Sequence, residues 1–512
     1  MKLKRILCAL SIALLASSVS LTLAEEGMWT FNNVPRAEIK KRYGFDVTDA
    51  WLKKVQMASV RFNNGGSGSF VSADGLVMTN HHIASDTLHK LSTAENDYLK
   101  TGFRARTRAE EAKAPDLELN VLVSIEDVTA RVNGAAKQGV SPAEANTARR
   151  AEIAAIEKES LAATGLRSDV VILYQGGQYN LYRYKKYTDV RLVFAPEVDI
   201  AFFGGDPDNF NFPRFDLDMA FFRVYENDKP VKVENYFKWS KSGASDGELI
   251  FVSGHPGSTA RLNTVAHLEY LRDVGLPYTL KLLKRNLEAL KKYSLQGEEQ
   301  ARRAQEEIFG IENSLKALTG QYEGLQEAGL LARKRANEEA MRKAIAADPK
   351  KKQEYGDAWD TIAKGRKALP SYFKTYGLVE NGAGFNSSLF GYARNLVRLA
   401  AESAKPNAER LPEFTDARRP PLEANLFTQV PLYDDLEKIQ LATSLTFLRE
   451  ELGAESPLVK RVLAGKTPEA RAAELIDGSK LKDAAFRKEL AAGGQKAIEQ
   501  STDPMILLAR SI

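Results

Sequence analysis

Residues 65–84 read GGSGSFVSADGLVMTNHHIA, and this stretch decides the fold of the region around it. Asp74 and Gly75 separate two short apolar runs. An Asp-Gly pair between such runs predicts a β-hairpin, because glycine accepts a positive φ. The second predicted strand ends in a loop that holds His81 and His82, and loops on a rigid scaffold often carry chemistry. Two of the five histidines in the chain therefore lie at one strand end.

A histidine in a Thr-x-x-His sequence at the end of a strand suggests a general base. A serine peptidase combines a nucleophilic serine, a histidine that takes its proton and an aspartate that orients the histidine. In chymotrypsin-like peptidases the histidine comes first along the chain, and residues 79–82, TNHH, point to His82. An isolated pair of histidines leaves open the alternative of two ordinary polar loop residues.

Composition and charge indicate a soluble globular protein. The chain has 512 residues, of which 44% are hydrophobic and 27% charged, and this length is sufficient for roughly two to four domains. The 72 basic and 67 acidic residues give a net charge of +5. A surplus this small gives no indication of a nucleic-acid partner.

Residues 1–24 have the pattern of a secretory signal peptide. Lys2 and Arg5 belong to a basic start, an apolar run follows, and Thr-Leu-Ala precedes Glu25 as a cleavage site. We therefore expect a periplasmic or secreted protein with no membrane segment after cleavage. Cys8, the single cysteine, lies inside this signal. The mature chain is thus predicted to have no disulfide and no cysteine nucleophile.

Short strand-like runs recur in the first half of the chain and favour antiparallel barrels or a sandwich. They are predicted at 58–62, 69–72, 76–79, 119–125, 169–174, 179–187, 190–194, 219–225 and 248–253. A helix over 138–164 interrupts them. Ser141 is its expected N-cap, followed by Pro142 at the first helical position and Glu144 at the third, and Gly165 ends it.

The pattern changes to helical spacing near residue 260. Apolar residues recur every three or four positions over 260–345, and further helices are predicted over 386–404, 432–453 and 466–499. A polar, proline-bearing connector is expected over 406–421. The predicted domains are therefore the signal peptide at 1–24, a β-barrel portion at 25–259 and an α-helical domain at 260–512, with a coiled coil as the alternative for the last.

A second group of candidate residues lies in residues 199–226, DIAFFGGDPDNFNFPRFDLDMAFFRVYE. Asp216 and Asp218 precede a predicted strand, downstream of the histidines, so either one follows the chain order His before Asp. Turn-capping carboxylates are the alternative. Sequence spacing alone does not choose between Asp216 and Asp218.

Four segments together resemble peptidase family S46, the bacterial dipeptidyl-peptidase 7/11 type of serine peptidase. They are GSGSFVSADGLVMTNHHIA, LNVLVSIEDVTARV, GGDPDNFNFPRFDLDMAFFRVYE and VSGHPGSTAR, and with the helical region they cover essentially the whole mature chain. The resemblance implies an α+β fold, a chymotrypsin-like double β-barrel with a large inserted α-helical domain that caps the cleft. It also implies an exopeptidase that removes dipeptides from the free N-terminus of peptides.

The same resemblance assigns roles to individual residues. The second histidine of the family's Asn-His-His is the base, hence His82, and the catalytic aspartate just before the Phe-Arg-Val-Tyr strand is Asp218. The substrate's α-amino group is bound by Asn209 and Phe210, after the Gly-Gly-Asp turn, and by Asn313 from the helical domain. Phe210 departs from the family, which commonly has tryptophan there. It retains an aromatic wall and lacks the indole N–H donor.

The family's nucleophile lies in a Gly-Asn-Ser-Gly-Ser type of motif after the helical domain, and this motif is absent from the sequence. Ser258 lacks the Gly-x-Ser-Gly setting that forms an oxyanion hole, and we assign its segment to a structural turn. We therefore expect a fragment of a longer peptidase, with the second barrel incomplete and the nucleophilic serine and the P1 pocket beyond Ile512.

Two alternative functions remain open from the sequence. One is an HtrA-like serine endopeptidase, which shares the strand end with histidine. The other is an inactive truncated relative that acts as a peptide-binding protein. The expected partners are peptides with a free N-terminus, and the resemblance allows a homodimer. No metal or organic cofactor is implied.

Overall fold

The computed structural model describes residues 28–202, 204–257, 259–260 and 262–512. The predicted signal peptide with Cys8, and Ser258, lie outside these residues. The chain divides into two compact units, residues 1–53 and 54–512. Within the described part of the first unit, the helix Arg36–Tyr43 ends at Gly44, whose φ of 67° is left-handed and suits glycine.

Eleven strands in the described part of the chain form one antiparallel sheet in the second unit. They are β1 (Ser59–Phe62), β2 (Ser67–Phe70), β3 (Leu76–Thr79), β4 (Phe103–Arg104), β5 (Ala112–Lys113), β6 (Leu119–Asp127), β7 (Arg167–Leu173), β8 (Gln178–Tyr187), β9 (Asp189–Ala195), β10 (Ala220–Glu226) and β11 (Lys229–Pro230). Their order is β4-β9-β10-β3-β2-β1-β6-β8-β7, with β11 paired to β10 and β5 to β9.

The predicted hairpin is present as β2 and β3. Phe70 lies opposite Val77, and both side chains are buried in the core of the sheet region. Gly75 takes a φ of 67°, and a Cβ there would approach the Val231 carbonyl oxygen to 3.0 Å. Both the backbone conformation and the close approach therefore require glycine at this turn.

The pairing of β3 with β10 positions the candidate site. Thr79, the last residue of β3, lies opposite Ala220, the first residue of β10. Because the strands are antiparallel, the residues that follow Thr79 and those that precede Ala220 leave the sheet at the same edge. The two strand-end segments that carry the candidate residues are thus brought together by the backbone ladder.

In the described first half of the chain, two helices precede β1 and four follow strands of the sheet. With the helix named above as α1 (Arg36–Tyr43), they are α2 (Asp49–Ala58), α3 (His81–Leu91), α4 (Tyr98–Thr101), α5 (Thr129–Gly134) and α6 (Pro142–Thr164). α6 begins with the predicted capping box, in which the Ser141 hydroxyl accepts from the Glu144 N–H and the Glu144 carboxylate accepts from the Ser141 N–H. Gly165 ends it with a left-handed φ of 67°.

Helices dominate the described chain from residue 265 onward. They are α7 (Val265–Tyr270), α8 (Leu276–Ser294), α9 (Glu298–Gln326), α10 (Ala328–Ala346), α11 (Pro349–Tyr355), α12 (Ala358–Ala368), α13 (Phe373–Val379), α14 (Ser388–Ser403), α15 (Arg419–Phe427), α16 (Asp434–Leu452), α17 (Pro457–Leu463), α18 (Pro468–Asp477), α19 (Ala484–Gln500) and α20 (Pro504–Ser511). A large apolar core, which includes Leu389, Leu441 and Leu475, packs α14 and α16–α20 together. Packing of this extent shows a globular helical region, not a coiled coil.

Three features differ from the sequence predictions. His81 and His82 begin a helix, α3, and do not lie in a loop. Residues 248–253 form no strand, and Ile250 and Val252 are exposed, because no described strand pairs with this segment. The predicted connector over 406–421 contains two short 3-10 turns and the start of α15, since its prolines stand at the first positions of helical turns, where no backbone N–H is needed.

The fold is a mixed α+β architecture with one large antiparallel sheet and many helices. Among the helices that the structure describes, none is both long enough and apolar enough to span a lipid bilayer.

Candidate active site

The candidate base lies in the first turn of α3, directly after β3. Asn80 is extended, with φ −79° and ψ 152°, and precedes the first helical residue, His81. Its side chain does not cap the helix; the Asn80 amide Nδ2 donates to the Asp218 carboxylate Oδ2 at 3.0 Å. The helix start is thereby joined to the segment that enters β10.

His82 and Asp218 form a two-point contact. The His82 backbone N–H donates to Asp218 Oδ1 at 3.1 Å, and His82 Nδ1 lies 2.8 Å from Asp218 Oδ2. A carboxylate can only accept, so Nδ1 carries the proton and the neutral ring has an unprotonated Nε2. This is the tautomer that a general base needs, because Nε2 can then take a proton from a hydroxyl group.

The environment of Asp218 keeps it ionised. Burial raises the pKa of this carboxyl, but hydrogen bonds from the His82 ring, the His82 backbone and Asn80, together with the attraction of His82, outweigh burial and lower its pKa below the ordinary value. Donors aimed at a carboxylate stabilise its charged form. Asp218 is therefore a permanent negative charge beside the imidazole at neutral pH.

The neighbouring histidine has a different environment. His81 is 2% exposed, and its Nε2 lies 3.0 Å from the Pro196 carbonyl oxygen, so Nε2 carries the proton. Burial lowers the pKa of His81 below its ordinary value. Of the two adjacent histidines, His81 is thus a neutral packing residue and His82 is paired with a carboxylate.

A carboxyl group from the helical region reaches α3. The Ser85 hydroxyl lies 2.5 Å from Glu306 Oε2 on α9 and 3.2 Å from the His82 carbonyl oxygen. Burial raises the pKa of Glu306. Because the serine has one hydroxyl proton, both contacts are satisfied together when a protonated Glu306 donates to Ser85 and Ser85 donates to His82.

The Gly-Gly-Asp turn before the second candidate group packs against α9. Phe202 meets Phe309 of α9 edge to face, with ring centroids 4.8 Å apart. A Cβ on Gly204 would lie 2.9 Å from the Phe309 carbonyl oxygen, at a φ of 143°. Lys316 of α9 donates to the Asp206 carbonyl oxygen at 2.9 Å. Glycine therefore allows the turn and the helix to approach to backbone contact.

Asn209 is 1% exposed and has a fixed amide orientation. Its Nδ2 donates to the Gly204 carbonyl oxygen at 2.8 Å and to Asn313 Oδ1 on α9 at 2.9 Å. Its Oδ1 accepts from Arg214 Nη1 at 3.0 Å. Both amide hydrogens of Asn209 are in use. Asn209 Oδ1 and Asn313 Oδ1 can each accept a further hydrogen bond, because a carbonyl oxygen has two lone pairs.

Phe210 stands next to this pair and faces solvent. Its side chain is 61% exposed, and its φ of 64° is left-handed, a conformation uncommon for a bulky residue. Phe212 and Phe215 in the same segment are also exposed. All three aromatic side chains lie within six residues of the buried Asn209 in the sequence.

The structure brings the predicted residues into two groups. His82 and Asp218 contact each other, as do Asn209 and Asn313, and Phe210 adjoins Asn209. Sequence reasoning missed two contributors, Asn80 and Arg214. Asn80 directly precedes the histidine pair and Arg214 lies inside the quoted GGDPDNFNFPRFD segment, so both were visible only as part of a motif.

Within the described residues, no group of three or more His, Cys, Asp or Glu side chains is arranged to hold a metal ion. The described side chains provide a base with its orienting carboxylate, and acceptors suited to a hydrogen-bond donor such as an ammonium group.

Comparisons with known proteins agree on one family. The Peptidase S46 family profile matches residues 24–512. A dipeptidyl-peptidase 7 from Porphyromonas endodontalis is 32% identical over 422 residues, covering 78% of this chain and 50% of that protein. An Asp/Glu-specific dipeptidyl-peptidase from Capnocytophaga gingivalis is 28% identical over 386 residues, covering 70% of this chain and 54% of that protein.

A solved structure has a similar fold. The crystal structure of Porphyromonas endodontalis DPP11 in complex with the dipeptide Arg-Glu matches with a TM-score of 0.71 at 24% identity, covering 95% of this chain and 73% of that one. The chain spans about half the length of the curated relatives named above. On the extent of the profile match, the chain belongs to the Peptidase S46 family.

Proposed function

We propose that this chain belongs to a serine-type dipeptidyl-peptidase that releases dipeptides from the free N-termini of peptides. The observation that carries the proposal is the juxtaposition of two groups. A histidine with its carboxylate, His82 and Asp218, lies in the same compact unit as a buried pair of amide acceptors, Asn209 and Asn313. The names of the family's dipeptidyl-peptidases support the same reaction class.

In the proposed reaction, His82 is the general base. Its unprotonated Nε2 takes the proton of a serine hydroxyl as that oxygen attacks the scissile carbonyl, and later returns the proton to the leaving amine. Asp218 accepts from Nδ1–H, which holds the ring in the active tautomer and stabilises the imidazolium formed during attack. The lowered pKa of Asp218 supports this role, because an ionised carboxylate is present throughout.

Recognition of the substrate's N-terminus is assigned to Asn209, Phe210 and Asn313. A substrate ammonium is a donor only, and the two amide oxygens are acceptors whose orientation is fixed by bonds already made. Phe210 supplies an apolar wall beside them. An exopeptidase needs such a site, because a bound ammonium sets the register of the peptide relative to the base.

The proposal also includes the finer architecture and setting expected from the sequence. The sheet region at 25–259 is proposed as part of a chymotrypsin-like double β-barrel, and the helices of 260–512 as a cap over the cleft. The signal at 1–24 implies a periplasmic or secreted enzyme, its partners are peptides with a free N-terminus, and a homodimer is proposed. The antiparallel sheet and the packed helices support the first two of these assignments.

A paired-substrate assay tests the function. Dipeptidyl methylcoumarinamides with a free amine and the same compounds with an acetylated amine are offered to the protein expressed from its native gene, with a fluorophosphonate probe to detect an activated serine. We expect release only from the free-amine substrates and loss of release in His82→Ala. Asn209→Ala should reduce kcat/KM by about 10- to 100-fold, as for a lost bond to a charged group.

Asn211→Ala is the matched control for Asn209→Ala. Asn211 is an exposed asparagine in the same turn whose Nδ2 donates to the Pro207 carbonyl oxygen at 3.1 Å, and we expect this variant to retain wild-type turnover. Faster release from acetylated substrates would indicate an endopeptidase. Dipeptide binding without release or probe labelling would indicate a peptide-binding protein, and either result would contradict the proposal.

A further inference from the structure

Arg214 lies between the two groups of the proposed site and is largely buried, with a side chain 19% exposed. Its Nη1 donates to Asn209 Oδ1 at 3.0 Å, and its Nη2 donates to the Phe202 carbonyl oxygen at 3.0 Å. The guanidinium therefore donates hydrogen bonds both to the Asn209 amide and to the backbone that leads into the Gly-Gly-Asp turn.

The same guanidinium is paired with two carboxylates. Arg214 Nη2 lies 3.1 Å from Asp206 Oδ2 and 2.9 Å from Asp216 Oδ2. Asp206 uses its other oxygen to accept from the Gly204 N–H at 3.1 Å. The charges of the turn thus converge on a single arginine, and a buried cation needs such partners to offset its desolvation.

An ion pair followed by two hydrogen-bonded contacts leads from Arg214 to the base. The first contact, between Arg214 and Asp216, is the ion pair, because Asp216 Oδ2 receives no hydrogen bond from the described residues. Asp216 Oδ1 accepts from the Asp218 backbone N–H at 3.1 Å, and the Asp218 carboxylate binds His82. The contacts therefore run from Asn209 through Arg214, Asp216 and Asp218 to His82. Sequence spacing left Asp216 and Asp218 as alternatives. In the structure Asp218 contacts His82, and Asp216 lies between Arg214 and Asp218.

An arginine suits this position and a lysine does not. The planar guanidinium presents separate N–H groups in a fixed fork, so Nη1 can bind Asn209 and Nη2 the Phe202 carbonyl oxygen while the charge lies against Asp216. A lysine ammonium is a single point charge on a flexible stem. The two amide hydrogens of Asn209 are used at the nitrogen end, and Arg214 supplies a hydrogen bond at the oxygen end.

From these contacts we propose that Arg214 is a positioning residue that links the amine pocket at Asn209 to the His82–Asp218 pair through Asp216. The proposal rests on the proposed function. It goes beyond that function because it makes recognition of the substrate amine and orientation of His82 depend on each other. An ammonium bound at Asn209 Oδ1 stabilises the Arg214 guanidinium in the position that orients Asp216 and, through it, Asp218. Loss of the fork therefore affects both substrate affinity and the catalytic step.

The test uses the protein expressed from its native gene, with three variants of these linked residues and one control. Arg214→Lys keeps the charge and removes the fork, Arg214→Met removes both, and Asp216→Asn keeps an acceptor for the Asp218 N–H and removes the ion pair. Arg183→Met is the control, because Arg183 has a similar exposure of 21% and a carboxylate partner, Glu126, on β8, four strands from β3 along the sheet path.

Two readouts are measured. The first is kcat and KM on free-amine dipeptidyl substrates. The second is the downfield NMR signal of the His82 Nδ1–H proton in chain labelled at its five histidines, assigned by its loss in His82→Ala. Other charged and titratable groups near His82, namely His81, Asp86, Lys90 and Glu306, are unchanged in all four variants, so they do not account for differences among them.

We expect Arg214→Lys to lower kcat/KM by about tenfold or more, with both a higher KM and a lower kcat, and to shift the Nδ1–H signal. Asp216→Asn should shift the same signal, and Arg183→Met should leave both readouts within about twofold of wild type. A change of KM alone in Arg214→Lys, or a result equal to that of Arg183→Met, would overturn the proposal.

The two proposals can fail separately. If the wild-type chain releases no dipeptide, the proposed function fails, and the NMR signal still decides whether Arg214 positions His82. If the chain is active and the signal in both Arg214→Lys and Asp216→Asn matches the control, the link is wrong and the function stands. Should Arg214→Met not fold, Arg214→Lys retains the charge that Asp206 and Asp216 require and supplies the answer.

Discussion

The strand end that carries His82 and the turn that carries Asn209 are held by different kinds of interaction. At the strand end, Thr79 and Ala220 are paired in the backbone ladder of the sheet, and His82 and Asp218 lie within three residues of that pair. The turn has no ladder. Asn209 is fixed by side chains and by contact with α9. The His82–Asp218 pair therefore depends on the sheet, and the proposed amine pocket depends on packing between distant parts of the chain.

The largest effect is expected from a substitution at the strand end that carries His82. Asp218→Asn removes the acceptor for Nδ1–H and offers an amide donor in its place, so the imidazole is held in the wrong tautomer. We expect kcat to fall by about 10⁴-fold with little change in KM, measured on free-amine dipeptidyl substrates. Asp199→Asn, a change at an exposed acid of the same segment, should have no effect. A similar loss in both variants would contradict the role of Asp218.

The second prediction concerns a substitution in the turn that carries Asn209, with the strand end unchanged. Gly204→Ala places a methyl group 2.9 Å from a backbone oxygen of α9 at a φ unsuited to alanine. The turn must move away from the helix, which separates Asn209 from Asn313. We expect KM to rise by about tenfold or more, with the His82 Nδ1–H signal retained, because the sheet holds the pair, but shifted, because Asn209 contacts Arg214.

The control for this variant is Gly320→Ala. Gly320 lies on the same helix, and a Cβ there meets no atom within 4 Å. Alanine is favoured over glycine inside a helix by up to about 1 kcal/mol, so this variant should be at least as stable as wild type with unchanged KM. Loss of the Nδ1–H signal in Gly204→Ala would show that the sheet alone does not hold the His82–Asp218 pair together.

A smaller effect sharpens the description of the amine pocket. Phe210→Trp retains the aromatic wall and adds an indole N–H donor. Because the side chain is exposed beside Asn209, the larger ring can be accommodated, and we expect KM to fall by about two- to tenfold with kcat unchanged. Phe212→Trp, at a still more exposed position, is the control. An equal decrease of KM in both variants would assign the effect to general hydrophobic contact.

The smallest expected effect concerns the contact between α3 and α9. Burial raises the pKa of Glu306 above its ordinary value, so the folded state binds a proton more tightly than the unfolded state. The stability that this group contributes is present below the unfolded pKa of 4.5 and is lost as the pH rises through the folded value. Glu306→Gln, which cannot ionise, should raise the Tm at about pH 7 by a few degrees.

The gain from Glu306→Gln should disappear at about pH 4, where the wild-type carboxyl is already protonated. Glu323→Gln, at an exposed glutamate of the same helix, should leave the Tm unchanged at both pH values in thermal melts followed by circular dichroism. A lower Tm for Glu306→Gln at neutral pH would show that Glu306 is ionised in the folded protein.

Prediction from sequence succeeded where local chemistry determines structure. The hairpin at Asp74 and Gly75 and the capping box at Ser141 are local signals, and both are present in the structure. The start of α3 was missed because the Asn-His-His sequence carries no helix-capping bond; the Asn80 side chain is directed to Asp218. That partner lies 138 residues away in the chain, and no local pattern encodes it.

The same reason limits prediction of the site. The contact between His82 and Asp218 follows from the pairing of β3 with β10, which the sequence order suggests but does not fix. The role of Arg214 depends on a three-dimensional fork that joins groups on both sides of it in the sequence. Residues 248–253 have the composition of a strand, yet a strand exists only with a hydrogen-bonded partner, and composition does not show whether one is at hand.

The hydrogen bond between Asn209 and Asn313 spans 104 residues and joins the turn to α9, and this separation has a consequence for the order in which activities arise during biosynthesis. The contact between His82 and Asp218 requires the pairing of β3 with β10. The pair of amides proposed to bind the substrate's N-terminus also requires the helical region, because Asn313 lies on α9. Under the proposed function, docking of the helical region is what restricts hydrolysis to chain ends. Molecules in which that region has not docked would lack the restriction.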